Sequence, residues 1–281
     1  MTNFVAGRAE PVAGEQVPVV RVLAPNAGPM TGPGTNSYLI GSSRLALLDP
    51  GPADERHVES LLGAVGKRQL EWIVVTHTHG DHSPGAAVLA VRTGARLVGL
   101  APPHAHHNDT TFEPDRLYHH GEVLDCGEFS LELIHTPGHV SNHLCYLLRE
   151  EGLLFTGDHI LDGSTSVILP PDGNMGHYMA SLEQLLDYPL KALAPGHGRI
   201  IPDPRGAIHH LLQHRRKREA RVIDALAVDQ PLALEPLTIR VYDDVAPHLL
   251  PWAQRTLLAH LLKLAEEGRA EETGQGWRLI R

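Results

Sequence analysis

Cysteine is nearly absent: Cys126 and Cys145 are the only two in 281 residues. They make no metal-finger spacing and no disulfide framework, and they read as buried or reduced thiols. There is no excess of basic charge either. The formal net charge is −9, which gives no general reason to expect nucleic-acid or membrane binding. No apolar run reaches membrane-spanning length, and "MTNFVAGRAEPVAGEQ" lacks the charged start and apolar stretch of a signal peptide. These absences lead to the expectation of a soluble, cytoplasmic protein. The charge that is present is uneven. Residues 1–207 hold 13 Lys+Arg against 23 Asp+Glu, whereas 208–281 hold 11 against 10. Acidity belongs to the first part, where carboxylates could serve metals.

Short apolar runs closed by Gly or Pro recur along that first part. "SYLIG", "LALLDPG", "LEWIVVTH", "ARLVGL", "FSLELIHTPGH", "HLCYLL", "LLFTGDH" and "KALAPGHG" read as strands. Several are wholly apolar, as expected of a sheet covered by helices. "DERHVESLLGAV", "SPGAAVLAVRTG" and "YMASLEQLLDY" read as helices, the second with Ser83 as N-cap, Pro84 in its first turn and Gly94 past its end. A layered α/β domain is therefore expected over 1–205. Composition then changes. "DPRGAIHHLLQHRRKREARVIDAL" and "PWAQRTLLAHLLKLAEEGRA" read as helices, and "RAEETGQGWRLI" as a hairpin, so 206–281 is expected to be a small winged-helix-like unit.

The chain has twenty histidines, and only their positions can separate ligands from bystanders. "WIVVTHTHGDHSPG" puts His77, His79, Asp81 and His82 within six positions. Residues i and i+2 of an extended segment point to one side, so His77 and His79 can hold one ion. Gly80 permits a turn, after which Asp81 and His82 emerge in a new direction. Four ligands would crowd one ion, whereas two adjacent ions could share them. Other apolar strands end in further candidates: Asp49 in "LLDPG", His139 in "HTPGH", Asp158 in "FTGDH" and His197 in "APGHG". Loops on one edge of a rigid sheet are where sites are usually built.

In this order the motifs resemble those of the metallo-β-lactamase-fold hydrolases, over residues from about 18 to 200. The resemblance implies a four-layer αββα sandwich. It implies that His77, His79 and His139 hold one metal, that Asp81, His82 and His197 hold a second, and that Asp158 bridges them. Asp49 would orient ligands rather than bind metal. "GTNSYLI", "PPDGNMGHYMASLEQL", "HRRKREARVIDAL" and "VYDDV" are similar to the lactamase-beta-two-like subgroup with its winged-helix-like tail. Oxygen-reducing diiron relatives carry Glu where this chain has His79, so hydrolysis rather than redox chemistry is expected.

Two divalent ions roughly 3.5–4 Å apart lower the pKa of a shared water toward about 7. The expected activity is attack by the resulting hydroxide on a carboxyl derivative: an ester, lactone, lactam or thioester. Asp81 is the candidate to orient the nucleophile and pass its proton on. His and carboxylate ligands suit zinc, and also admit Fe or Mn. A small-molecule substrate is the expected partner. A second reading is an endoribonuclease on single-stranded RNA, which rests on the subgroup and on the basic run "HRRKREAR"; against it stands a solvated helix face with Arg215 and Glu219 at i,i+4 spacing. A third is a non-catalytic protein that binds nucleic acid or a partner through its tail. Tyr178 is a candidate to line the substrate pocket. "APPHAHHNDTTFEPDRLYHHGE" reads as an exposed histidine-rich loop. The apolar helices of the tail permit a homodimer.

Overall fold

A computed structural model describes residues 4–103 and 108–280. They form two compact units. One contains the described residues through Thr136, with Asn142–Ser166 and Tyr188–Ala207; the other contains Pro137–Ser141, Val167–Asp187 and the chain from Ile208 onward. The units do not follow one cut in the sequence.

The first unit is built on two sheets. One runs β1 (Ala9–Ala13), β2 (Val19–Leu23), β3 (Asn36–Ile40), β4 (Arg44–Leu48), β5 (Gln69–Val74) and β6 (Arg96–Val98), in spatial order β1-β2-β3-β4-β5-β6. The first four are antiparallel neighbours, while β4-β5 and β5-β6 are parallel pairs, joined through helices α1 (Glu55–Val65) and α2 (Gly85–Thr93). The other sheet holds β7 (Val123–Asp125), β8 (Ser130–His135), β9 (Leu144–Leu148), β10 (Leu153–Gly157) and β11 (Ala192–Pro195), with only β10-β11 parallel. One apolar core lies between the sheets, with Tyr38, Leu48, Val74, Leu131, Tyr146 and Phe155. A second, with Leu47, Leu61, Ile73 and Leu89, joins the β1–β6 sheet to α1 and α2. A strand with apolar residues on both faces satisfies both cores at once, which is why β3 and β9 are buried throughout.

All eight apolar runs form strands. The sequence reading missed β1, β2 and β7. β2 carried a clear signal in "VVRVL", interrupted by Arg21, which the fold buries by pairing its guanidinium with Glu10 at 2.6 Å. β1 is largely exposed and β7 has three residues, too few for a pattern. The start of α2 also differs from expectation. No side chain caps it, and the Ser83 hydroxyl instead donates to Asp109 at 2.7 Å; Gly94 closes the helix at φ 75° as expected. Both cysteines are buried and unbridged.

The second unit packs α3 (Met175–Leu185), the body of α4 (Pro204–Ala225), α5 (Leu234–Val241), α6 (Leu250–Glu266) and the hairpin β12 (Ala270–Thr273)–β13 (Gly276–Leu279). α3 starts earlier than its apolar spacing suggested, because Asn174 caps it by accepting from the His177 amide. Leu237, Leu257, Leu261 and Trp277 centre its apolar core. α5, α6 and the terminal hairpin give the winged-helix arrangement.

The basic run on α4 divides: Arg215 and Glu219 are buried, Arg218 is half-buried, and Arg216 and Lys217 are exposed. Arg215 is buried, with its guanidinium over the Tyr178 ring at 5.3 Å. Arg216 pairs with Glu183, Arg218 with Asp244, and Arg221 with Asp243 and Asp244. Glu219 meets Lys263 at 2.8 Å rather than Arg215. No helix among the described residues is long and apolar enough to cross a membrane.

Candidate metal centre

Four strand ends deliver the site within the first unit. β4 runs into Asp49, where the backbone takes φ 49°, a left-handed conformation that Asp tolerates better than most residues. β5 runs into the histidine cluster, β10 into Asp158 and β11 into His197. The two parallel pairs, β4-β5 and β10-β11, each present both carboxyl ends at one edge. Hydrogen bonds then tie the edges of the two sheets together: Asn36 N–H to Gly196 O at 2.8 Å, and Leu144 N–H to Thr76 O at 2.7 Å.

The cluster turns as its spacing suggested. The amides of His82 and Ser83 both donate to His79 O, at 3.0 and 3.2 Å. Gly80 is not what forces this turn, since a Cβ there would meet open space. Gly196 is more constrained. A Cβ at that position would lie 2.7 Å from His82 and 3.0 Å from Asp158 Oδ1, so the backbone beside His197 approaches the other ligands only because it has no side chain.

Asp49 is fully buried and organises the centre from behind. Its carboxylate accepts the Thr76 amide at 2.7 Å, the Thr76 hydroxyl at 2.8 Å and His82 Nδ1 at 2.9 Å. A carboxylate can only accept, so Nδ1 of His82 carries the proton and Nε2 is its ligand atom. The Thr76 proton likewise goes to Asp49, which leaves Thr76 Oγ1 to accept from His77 Nδ1 at 3.0 Å and assigns Nε2 of His77 as a ligand atom. His197 donates from Nδ1 to Gly34 O at 3.1 Å, again leaving Nε2. A second partner on the non-ligand nitrogen is what metal-binding histidines ordinarily have.

The ligand atoms converge. Those of His77, His82 and Asp158 lie within 4.8 Å of one another, and so do those of Asp81, His82 and His197. His82 is common to both groups. His77 Nε2 faces His79 Nδ1 at 3.0 Å. Asp158 Oδ1 is 3.3 Å from both His82 Nε2 and His197 Nε2, and Asp81 Oδ2 is 3.3 Å from His197 Nε2. Yet Nε2 of His82 and Nε2 of His197 are buried without a well-directed hydrogen bond. Buried nitrogens so placed, among carboxylates, fit a cation better than they fit one another.

The electrostatics agree. Burial would push the pKa of His82 down, but Asp81, Asp158 and Asp49 together hold it well above the usual imidazole range. Burial opposes the charge on His197 as well, and Asp158 and Asp81 raise its pKa above normal. For Asp81, burial pushes up, and His82 and His197 bring the carboxyl below its ordinary value. Three carboxylates thus draw positive charge onto the nearest groups, which is the role a divalent ion fills. Asp81 is the more exposed of the two carboxylates at the ligand edge, at 28% of its side chain against 14% for Asp158.

His139 belongs to the second unit, where its Nδ1 donates to Val167 O at 2.6 Å and leaves Nε2 as its ligand atom. Tyr178 is in the same unit and fully buried on α3, a packing position beneath Arg215. His119 and His120 are described and exposed; His104, His106 and His107 of that stretch lie outside the described residues. The sequence reading missed Thr76 and His143, whose ring stacks on His77 with centroids 5.2 Å apart. A threonine next to the first ligand was the only available signal.

Comparison with known proteins agrees with this geometry. The model of the metallo-beta-lactamase superfamily matches residues 30–197, and that of the beta-lactamase associated winged helix domain matches 234–277. The chain is 32% identical over 265 residues to the beta-lactamase-like protein 2 homolog of Drosophila melanogaster, with 89% of each covered. It is 33% identical over 218 residues to an atrochrysone carboxyl ACP thioesterase of Passalora fulva, covering 74% of this chain and 62% of that protein. In fold it is similar to a beta-lactamase domain protein from Burkholderia ambifaria, with TM-score 0.80, 19% identity and coverage of 99% and 95%. A metallo-beta-lactamase family protein from Thermus thermophilus gives TM-score 0.73 at 23% identity, with 95% and 98% covered.

Proposed function

Because the chain belongs to the metallo-beta-lactamase superfamily, we propose that it hydrolyses a carboxyl derivative with the help of two divalent ions. Thioesters are the first class to test, because several relatives are named as thioesterases of an acyl carrier protein. The observation that carries the reading is the convergence of two ligand groups on the shared residue His82.

In this reading His77, His79 and His139 would hold one ion, and Asp81, His82 and His197 would hold the other. Asp158, whose Oδ1 is 3.3 Å from both His82 Nε2 and His197 Nε2, would serve both ions. Zinc suits these ligands, with Fe and Mn as substitutes. Bound ions would supply an activated water and a Lewis acid for the scissile group. The Asp81 carboxylate would orient the nucleophile and hold its proton. Asp49 and Gly34 hold the Nδ1 protons of His82 and His197, so that neither ring can turn its other nitrogen toward the ligands. The RNA reading is weakened on α4, where Arg215 is buried and Arg216, Arg218 and Arg221 pair with acids of the same unit.

The test is metal analysis of the purified protein together with hydrolysis of a thioester, a lactone and a short single-stranded RNA, repeated on Asp81→Ala. About two ions per chain, with thioester or lactone turnover lost in the variant, would support the proposal. A zinc-replete protein inactive on both carboxyl substrates would sink it, and turnover of RNA alone would replace it by the phosphodiesterase reading.

A further inference from the structure

His77 is held by two residues that take no part in the chemistry above. Thr76 accepts its Nδ1 proton at 3.0 Å and passes its own to Asp49 at 2.8 Å. Behind the ring lies His143, fully buried and nearly parallel, with an interplanar angle of 28°. His143 is itself fixed by its Nδ1 contact with Thr136 Oγ1 at 2.9 Å and by the bond from the next amide, Leu144 N–H, to Thr76 O at 2.7 Å. The turn that delivers Asp158 rests on the same pair. Gly157 has φ 46°, and a Cβ there would fall 2.5 Å from Thr76 Oγ1 and 2.8 Å from His143 Nε2.

We propose that Thr76 and His143 are positioning residues for the metal ligands: Thr76 fixes which nitrogen of His77 faces the ion, and His143 fixes the plane of that ring. The inference rests on the metal-dependent reading above. Its physics is separate from that of the ligands. Rotation about χ2 of a histidine is broad and roughly two-fold, so a ring without restraint presents either nitrogen. The Thr76 hydroxyl breaks that symmetry, because its own proton is committed to a carboxylate that only accepts. A flat neighbour then limits how far the ring can swing. Glycine at 157 lets the backbone of the Asp158 turn lie against both side chains.

Metal-free full-length protein would be titrated with Co²⁺, following the visible d–d bands, the number of ions bound and the thermal midpoint. Thr76→Val and His143→Leu keep the volume but remove the hydrogen bond or the flat ring. Thr76→Ser and His143→Phe restore the hydroxyl or the ring. The expected result is a fall of about 10–100-fold in affinity for one ion and shifted bands in the Val and Leu variants. The Ser and Phe variants should stay close to the parent, with similar thermal midpoints throughout. Parent-like affinity and bands in Val and Leu overturn the proposal. So do equal losses in Val and Ser, or in Leu and Phe, because neither the hydroxyl nor the flat ring would then be what positions the ligands. A parent that binds no Co²⁺ overturns the metal reading itself and this inference with it; a parent that binds two ions with unaffected variants overturns this inference alone.

Discussion

Each unit of this chain buries a cluster of ionisable side chains, and the two clusters are built on opposite terms. In the second unit the buried acid has cations in reach. Glu219 meets Lys263 at 2.8 Å and Arg269 at 3.5 Å, Lys263 also reaches Glu267, and the imidazole of His260, whose pKa burial pushes down, lies at 3.7 Å. In the first unit Asp49, Asp81 and Asp158 instead meet imidazoles, those of His82 and His197. Burying charge is costly unless it is paired. The second cluster neutralises itself and works as packing. The imidazoles of the first carry charge only when protonated, and bound ions would add positive charge there. A buried polar cluster is therefore not a site by virtue of being polar; the charge it leaves uncovered is what distinguishes it.

The largest effect expected from breaking this contrast is at His82, common to both ligand groups. His82→Ala should lose bound metal and reduce hydrolysis on the order of 10³-fold, since a Lewis acid supplies several kcal/mol to the transition state. Metal analysis beside steady-state kinetics would check this; retention of both ions would show that the convergence at His82 is not what holds them. Asp49→Asn comes next. It replaces an acceptor of three hydrogen bonds by a group that must also donate, and metal affinity should fall by about 10–100-fold, read by competition with a chelator.

Glu219→Gln sharpens the comparison from the other side. It should lower unfolding stability by about 1.5–3 kcal/mol in denaturant titration while leaving metal content unchanged. The effect has a defined pH dependence. Burial pushes the Glu219 carboxyl up, but His260 and Lys263 bring it down from 4.5 to about 2. A depressed carboxylate stabilises the fold fully above its unfolded pKa. The difference between parent and variant should thus be complete above pH 4.5 and vanish as pH falls through about 2. A difference that instead grows on acidification would contradict this account. The smallest effect is expected at Arg216→Ala, which removes an exposed pair with Glu183 and should cost about 0–1 kcal/mol, with no change in turnover.

Much of the first unit was legible because its signals are local. A short apolar run closed by a turn marks a strand, and all eight such runs, several of them wholly apolar, are strands. Where the signal was weak, the fold supplied what was missing: Glu10 makes Arg21 tolerable within β2, and Asp109 draws Ser83 away from capping α2. Pro137–Ser141 and Val167–Asp187 cluster with the C-terminal helices although a sequence cut near 205 would place them with the strands. Contacts between distant segments make that division, and no composition change marks it. Tyr178 shows the same limit. Its position in a loop-to-helix stretch suggested a pocket, and its burial beneath Arg215 is a matter of tertiary packing.

By itself the sequence determined the kind of site this protein has. Imidazole and carboxylate are metal ligands by chemistry, and their spacing around a turn is a local property of the backbone. Which of the twenty histidines come together as possible ligands, and which nitrogen each turns to the cluster, depends on the folded chain. His77, His82 and His197 each owe the assignment of Nε2 to an acceptor fixed by the tertiary structure: the Asp49–Thr76 pair for His77, Asp49 for His82, and for His197 a carbonyl 163 residues away. A tautomer is set by what the other nitrogen touches, and long-range contacts of that kind do not exist until the sheets have closed on one another.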